Sequence, residues 1–482
     1  MRLRILSILI KQVWKHTMKN RSTIWLIGIF NVLLLSSLLS GYHYMHDQQH
    51  LAHENSQEVR EQWVKNTDKH PHRMAHYGYV AFRQKYPLSF FDFGMDSYVG
   101  NVVFLEAHRQ NTVNFSAASL TNGLLRLGEI SAGMILQLLV PLLLFFWGFQ
   151  SIAKEREQGT LKVIVIQGVS GKELIVGKAL GLFSLSLTII LPALFIGGIL
   201  LTFNYLSHQY AEAYVRFALL ILSYLGYFLL LSFLAVLVSA SSSSSRSSLI
   251  QLIGYWLLFT LVLPKVAQVV GQSLYPAPSK IEFDVAVEEE LIKQGDSHNP
   301  DDPHYQALKD SLLITYGVES TDDLPFNYSG FVMREGERLS AETFNRHQAQ
   351  LVSIFLQQQD VIRLTSIFNP YLAIKNLSMA LSGSDYMAYK DFQEQAEIYR
   401  YDLAQHMNEL QIEHIANTVR SSADKGAVIS KSYWENTPDF EHRFLPFSTV
   451  LRHELLSFLS LLLWLGGLIF LTHTYANRIK VI

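Results

Sequence analysis

The sequence predicts an α-helical polytopic membrane protein, and three observations carry that prediction. Of its 482 residues 49% are apolar and only 17% are charged, with a mean hydropathy slightly above zero. Such values mix membrane spans with a substantial water-exposed part. Six runs, at 23–42, 131–149, 179–203, 214–238, 249–271 and 451–472, are long and apolar enough to cross about 30 Å of hydrocarbon as helices. The basic residues flanking these runs fall on alternate connections, which gives all six one consistent orientation.

Before the first span the pattern is that of an N-terminal interfacial helix. Over 1–22, Leu6, Leu9, Ile10, Val13, Trp14 and Thr17 recur at helical spacing while Lys11, Lys15 and Lys19 line another face. With Arg2, Arg4 and Arg21 these lysines stand without a single acid, so this end is expected in the cytoplasm. A basic leader that only sets topology would carry the same charges. About twenty residues precede the apolar run and no small-x-small site ends it, so span one is expected to be an uncleaved anchor rather than a signal peptide.

Six spans return the C-terminus to the starting side. The tail 473–482 holds Arg478 and Lys480, and the loop 150–178, on the same side, holds Lys154, Arg156, Lys162, Lys172 and Lys178. The same alternation puts two large insertions outside, at 43–130 and 272–450, on either side of spans two to five (131–271). Cysteine is absent, so these outer parts must hold through packing without disulfides. A bacterial inner membrane, with both termini cytoplasmic and the large domains periplasmic, is the expected location.

The first insertion starts polar and helical, is broken at Pro71 and Pro87, and contains the aromatic cluster Tyr86-Pro87-Leu88-Ser89-Phe90-Phe91-Asp92-Phe93. The second is expected to be mostly helical, with long patterns near 338–367 and 385–420. Phe344, Leu351, Ile354, Phe355, Val361 and Ile362 are spaced as one buried stripe. Between spans four and five the run from Ser239 to Ser248 reads as a tight turn whose hydroxyls satisfy helix ends.

The span interiors are free of Asp, Glu, Lys, Arg and His; charges stand only near the ends, at Lys178, Arg216, Lys265, Arg452, His453 and Glu454. Proton- or ion-coupled carriers place such groups inside the hydrocarbon, so an external energy source is the better expectation. Pro141, Pro192 and Pro264 interrupt three spans and read either as hinges or as ordinary membrane prolines. Asn31, Gln137, Tyr224, Tyr227 and Gln251 are the polar groups left to bond helix to helix.

The connection between spans two and three is the most informative stretch. It runs Lys154-Glu155-Arg156-Glu157-Gln158-Gly159-Thr160-Leu161, continues through Ser170, and ends on Gly177-Lys178. This stretch resembles the second-to-third-span connection of type-2 ABC exporter permeases, and Val238-Ser239-Ala240 after span four is similar to the same family. The run from Phe368-Asn369-Pro370-Tyr371 to Gly383-Ser384-Asp385, with Phe392 and Ala396-Glu397-Ile398-Tyr399-Arg400 after it, resembles the subgroup with a large extracytoplasmic domain of unknown function before the last span.

The resemblance implies the membrane-spanning permease subunit of an ATP-driven exporter. It implies that Lys154, Glu155, Arg156, Glu157, Gly159, Thr160, Gly177 and Lys178 form a coupling helix and its setting, gripped by a separate ATP-binding subunit. Two such subunits, a second permease that is identical or homologous, and the lipid membrane are the implied partners; nucleic acid is not. The chain is then no enzyme and binds no cofactor itself, ATP and magnesium belonging to the partner. In keeping with this, Gly168-Val169-Ser170-Gly171-Lys172-Glu173 has the wrong glycine spacing for a phosphate loop and places Glu173 where a magnesium-binding hydroxyl should stand. The charged residues also suit the part chemically: Glu155, Arg156 and Glu157 offer charge-assisted bonds, Gly159 can end a short helix, and Thr160 or Ser170 can cap the next one.

Three further readings stay open from the sequence. The outer domains could transmit ATP-driven motion to outer partners without passing cargo between the spans, and a secondary transporter or a membrane-anchored periplasmic sensor would come from other classes. His43, His46, His50 and His53 lie at steps of three, four and three, followed by His70, His72, His76 and His108; imidazoles so stacked hold zinc or copper, or are plain polar surface. Asn114-Phe115-Ser116, Asn327-Tyr328-Ser329 and Asn376-Leu377-Ser378 match the glycosylation pattern, by chance in a bacterial protein.

Overall fold

A computed structural model describes residues 1–96, 98–107, 110, 130–204, 211–297, 299, 301–418 and 427–476. Arg478, Lys480, His108 and the Asn114 sequon lie outside the described residues. The described residues are mostly helical, with one two-stranded sheet among them. Helix α1 (Leu3–Met18) leads into α2 (Arg21–Val64), which is followed by α3 (Pro71–Tyr77) and by the antiparallel strands β1 (Tyr79–Phe82) and β2 (Val102–Leu105), with Tyr79 opposite Leu105. Helix α4 begins at Ala132–Met134, passes through a π-helical turn at Ile135–Leu139 and continues as Val140–Gly148. The short helices α5 (Ala153–Glu157) and α6 (Thr160–Ile166) precede α7 (Gly171–Phe203) and α8 (Glu212–Ser241).

Helix α9 runs as Ser245–Leu257, a π turn at Leu258–Val262, and Leu263–Leu274. Then come α10 (Lys280–Gln294), α11 (Pro303–Tyr316), α12 (Tyr328–Thr365), α13 (Pro370–Ser382), α14 (Tyr386–His414), α15 (Ser432–Glu435) and α16 (Phe447–Ala476). Six of these segments, α2, α4 with α5, α7, α8, α9 and α16, are long and apolar enough to cross a membrane. All six coincide with the runs read from sequence.

The starts of α1 and α7 and the last described turn of α16 meet on one face of the bundle, where Arg2 pairs with Glu173 and Lys172 Nζ lies 3.3 Å from His473 Nδ1. We call this the near face. Helix α1 lies against α7 rather than free in the interface: Leu9 and Val13 press on Gly177 and Gly181 so closely that a Cβ at either glycine would come within 2.7 and 2.8 Å of them. Trp14 completes the seam by donating from Nε1 to Ser184 Oγ at 2.8 Å.

At the opposite, far face the first span does not end where hydrophobicity ends. At 1.5 Å per residue, α2 is roughly 66 Å long and extends well beyond any bilayer. Its extension buries Met45, Gln49 and Ala52 and leaves His43, His46, His50 and His53 exposed on the other side. An outer core forms where Trp63 at its end meets Met74, Tyr79, Val103, Phe392, Met407 and Trp434. Trp63 Nε1 donates to the Trp434 carbonyl at 3.0 Å, which ties α2 to α15.

Bonds between helices cluster beside the three prolines within the spans. A proline removes an N–H and frees the carbonyl four residues before it, and side chains of neighbouring helices take up carbonyls released in this way. Pro192 frees Thr188, whose carbonyl accepts from Asn31 Nδ2 at 3.3 Å. The π turns of α4 and α9 each end two residues before a proline, Pro141 and Pro264. Within those turns the Leu138 carbonyl accepts from Trp256 Nε1 at 2.9 Å and the Phe259 carbonyl from Asn369 Nδ2 at 2.8 Å. Pro192 therefore creates an acceptor that bonds helix to helix, and the π turns that precede Pro141 and Pro264 present two more.

The segment expected wholly outside, 272–450, instead enters the bundle. Helix α12 descends between α9 and α16, held by Gln358 Nε2 on the Tyr275 carbonyl at 2.6 Å and by Arg363 Nε on Glu454 Oε1 at 3.3 Å. The chain reverses over 366–369, and α13 climbs back. At the reversal Ser366 Oγ meets Ser460 Oγ at 3.3 Å, and Trp464 Nε1 donates to the Ile367 carbonyl at 2.9 Å. Trp464 is roughly 15 Å along α16 from Glu454, half of a hydrocarbon layer about 30 Å thick. Helices α12 and α13 thus form a re-entrant hairpin whose tip reaches the middle of the spans.

The tip folds because its backbone is satisfied by protein. Asn369 Oδ1 accepts from the N–H groups of Tyr371 and Leu372, and Pro370 stands where an N–H would be surplus. The stripe read as buried on α12, from Phe344 to Ile362, is only half-buried, because the descending arm lies at the edge of the bundle; α13 is buried along almost all its length. The chain has no cysteine, so introduced ones report singly. With Phe368→Cys at the tip and Ile314→Cys on the far-face domain, 71% and 82% exposed in the protein alone, a membrane-impermeant maleimide should label only Ile314→Cys in intact membranes. Prompt labelling of both would show the tip in water.

Candidate functional site: a latched near-face projection and a buried polar junction

Between spans two and three, α5 and α6 form a compact projection on the near face. Gly159 separates them in the left-handed region at φ +73°, a conformation that favours glycine and lets the two helices turn sharply. Gly168 repeats the device at φ +88° before α7. Ser170 then caps α7 in a reciprocal box: its Oγ accepts from the Glu173 N–H at 3.2 Å while Glu173 Oε2 accepts from the Ser170 N–H at 3.1 Å. The cap expected at Ser170 is present.

Glu155, Arg156 and Glu157 of the projection are bonded within the chain. Glu155 Oε1 sits 2.6 Å from Lys178 Nζ, and this pair is nearly buried. Arg156 donates to the Ala240 carbonyl at 2.6 Å and also to the Ser242 carbonyl. Glu157 accepts from Ser245 N at 3.0 Å and from Ser245 Oγ at 2.7 Å. Ser239 Oγ, from the serine-rich stretch, accepts from the N–H groups of Ile152 and Ala153 at 3.0 Å each and donates to the Phe149 carbonyl at 2.8 Å. The serines do satisfy a helix end, though it belongs to the projection as much as to α8.

Within the chain, Glu155, Arg156, Glu157 and Lys178 fasten the projection to α7, α8 and α9, and Gly177 is the contact surface for Leu9. Lys154 is half-buried against Gln150, while Gly159 and Thr160 are exposed. What projects instead is the outer side of α6, where Val163 and Ile166 stand 54% and 81% exposed. Arg2 was missed in the sequence: its Nη2 lies 2.7 Å from Glu173 Oε2, so the glutamate that spoils the phosphate-loop pattern anchors the N-terminus.

Toward the far side of the same spans lies a second polar centre. The loop after β1 brings Asp92 into the bundle, where it is buried. Asp92 Oδ2 accepts from Ser378 Oγ of α13 at 2.5 Å and from Gln137 Nε2 of α4 at 2.9 Å, and Oδ1 accepts from Gly94 N at 3.1 Å. Gln137 Nε2 also donates to Tyr224 OH of α8 at 2.9 Å, and Tyr224 OH lies 2.9 Å from Ser378 Oγ. One closed ring of hydrogen bonds therefore joins the first outer segment, spans two and four, and the re-entrant hairpin. Gln137 and Tyr224 were legible as interhelical groups. Asp92 was not, although an acid within Phe90-Phe91-Asp92-Phe93 is a signal that it is buried and bonded.

The histidines do not converge. His46 and His50 stack at 6.5 Å between centroids, His50 pairs with Glu54, and His53 meets Gln57. Among the described residues no group of three or more His, Asp or Glu is placed to hold a metal ion.

Fold and site together define a multi-pass helical membrane protein whose far-face domain is threaded through its spans. Residues 280–443 match a family model described as a domain of unknown function (DUF3526), and α13 lies inside that match. No curated protein matches the chain.

Glu155→Gln leaves the Lys178 ammonium buried without its partner and should cost roughly 3 kcal/mol, while Glu155→Gln with Lys178→Met should recover most of it; thermal melting of the detergent-solubilised protein checks both. Burial pushes the Asp92 carboxyl above the ordinary range, against the opposing hydrogen bonds from Ser378 and Gln137. A raised folded pKa means that the folded state holds a proton the unfolded state releases, so this contribution is full at low pH and is lost as pH rises through the folded value. Melting temperatures of wild type and Asp92→Asn, compared from about pH 4 to about pH 8, should therefore diverge in favour of the variant as pH rises.

Proposed function

We propose that this protein is the membrane-spanning permease subunit of an ATP-driven ABC exporter, with the near face in the cytoplasm. A separate ATP-binding subunit, present in two copies, would seat on the α5–α6 projection, and a second permease would complete the assembly. The observation that carries this reading is the way the projection is built. Its charges lock it to three spans at once, so it cannot move without them, while its outer side exposes apolar side chains that water alone would not favour. A lever for an external motor needs this combination of stiff attachment and free docking surface.

The resemblance of the Glu155–Leu161 run and of the Phe368–Asp385 run to type-2 exporter permeases supports the same class. The run from Gly168 to Glu173 lacks the spacing of a phosphate loop and has its glutamate bonded to Arg2, so hydrolysis is assigned to the partner. Closure of two ATP-binding subunits would draw the projections together, and α4, α7 and α8 would follow as rigid bodies.

Full-length protein purified from its own membranes should carry co-purifying ATPase activity. Val163→Asp with Ile166→Asp should lower that association roughly tenfold or more, each buried apolar side chain contributing about 1.5–3 kcal/mol, without lowering the melting temperature of the chain itself. Undiminished ATPase in the double variant would assign the docking surface elsewhere, and absence of any ATPase from wild type would remove the class.

A further inference from the structure

A cavity of about 780 Å³ lies between α9, α4 and the re-entrant hairpin. Its size falls within the range of small-molecule sites, about 300–1,000 Å³. One wall is a single stripe of α9, with Thr260, Pro264, Gln268 and Gln272 recurring every fourth residue. At 1.5 Å per residue that stripe is roughly 18 Å long. The facing wall is one side of α13, with Tyr371, Lys375, Asn376 and Met379.

The lining changes character along its length. At the deep end it is apolar, with Leu138 and Leu261; toward the far face it becomes a set of amides, Gln268, Gln272 and Gln358. Between these zones two ammonium groups line the space. Lys265 stands exposed at the rim and donates to Gln268 Oε1 at 3.1 Å. Lys375 is half-buried and makes no hydrogen bond or ion pair among the described residues. Beside it the Asn376 amide nitrogen is buried with no hydrogen-bond partner among the described residues. A buried donor left unmade is costly and is rare in native folds.

Asp92 also lines the cavity, but its oxygens are occupied by Ser378, Gln137 and Gly94. Donors from Lys375, Lys265 and Asn376 therefore face the space beside the Tyr371 hydroxyl. The geometry points to a binding site for an anionic amphiphile: a phosphate or carboxylate head held by Lys375, Asn376 and Lys265, with an acyl chain along Leu261 and Leu138 toward the membrane middle. That this molecule is cargo rests on the permease reading; that it binds does not. The domain matched at 280–443 would then supply Lys375 and Asn376 to the head group, and the spans would supply Lys265 and the chain-binding half.

The test uses the full chain in neutral detergent, without ATP or any partner. A fluorescent lysophosphatidic acid should bind roughly tenfold or more tightly than the lysophosphatidylcholine of the same acyl chain, because a charge-assisted bond is gained without a compensating cation on the ligand. Lys375→Gln should abolish that preference, Lys375→Arg should keep it, and Lys280→Gln, outside the cavity, should change nothing. Should Lys375→Gln fail to fold, Leu261→Trp, at an exposed position, should block binding by filling the deep end. Equal affinity for the two head groups, an unaltered preference in Lys375→Gln, or full displacement by equimolar inorganic phosphate would each overturn the proposal. Loss of the ATP-binding subunit alone would leave this binding intact, so the two readings fail separately.

Discussion

The controlling constraint on this fold is that hydrocarbon offers no hydrogen bonds, so each backbone group exposed by an irregularity inside the bundle must be met by protein. The chain contains several such irregularities and meets each with a named side chain. Pro192 releases a carbonyl that Asn31 takes up; the π turns before Pro141 and Pro264 present carbonyls to Trp256 and Asn369. The reversal at 366–369 would be untenable in lipid alone, and Asn369 and Trp464 close it. Each irregularity thereby becomes a cross-link, and the spans are held by polar bonds at defined depths in addition to packing.

The two polar centres are joined through shared helices. Helix α8 carries Tyr224 in the Asp92 ring and Ser239 in the latch of the projection; α4 carries Gln137 in the ring and leads directly into α5. Movement of the projection relative to the bundle would therefore have to break the latch or carry α4 and α8 along. The Glu155–Lys178 pair and the Arg156 bonds to the α8–α9 turn make the second course the easier one. The π turn of α4 is the place where such motion could be absorbed, because its hydrogen bonding departs from the helical ladder on the level of Gln137.

Much of the architecture was legible because its signals are local. Apolar length located all six spans, the amphipathic spacing of Leu6, Leu9 and Val13 located α1, and Gly159 and Ser170 marked turns and caps whose chemistry lies within a few residues. What was not legible depends on where distant segments meet. Glu155, Arg156 and Glu157 look like surface charges until α7, α8 and α9 are placed around them. The hairpin escaped because α13 has only thirteen residues, too short to register as a span, and carries Lys375 and Asn376 within it. Its companion α12 is polar enough to read as a helix in water, and where it meets the cavity it does so through Gln358 and Gln359 as well as Ile362.

The hairpin also explains why a domain matched in isolation cannot be understood in isolation. If 280–443 were an independent outer domain, its deletion would leave six spans with an intact interior. Instead α13 fills the space between α8, α9 and α16 with a buried face from Tyr371 to Ser382, and the Asp92 ring loses its Ser378 member without it. Removing the domain would leave a hole at the centre of the membrane and an acid bonded on fewer sides. The far-face domain is therefore part of the transmembrane structure, and any motion of the spans about α4 and α8 must be felt by it.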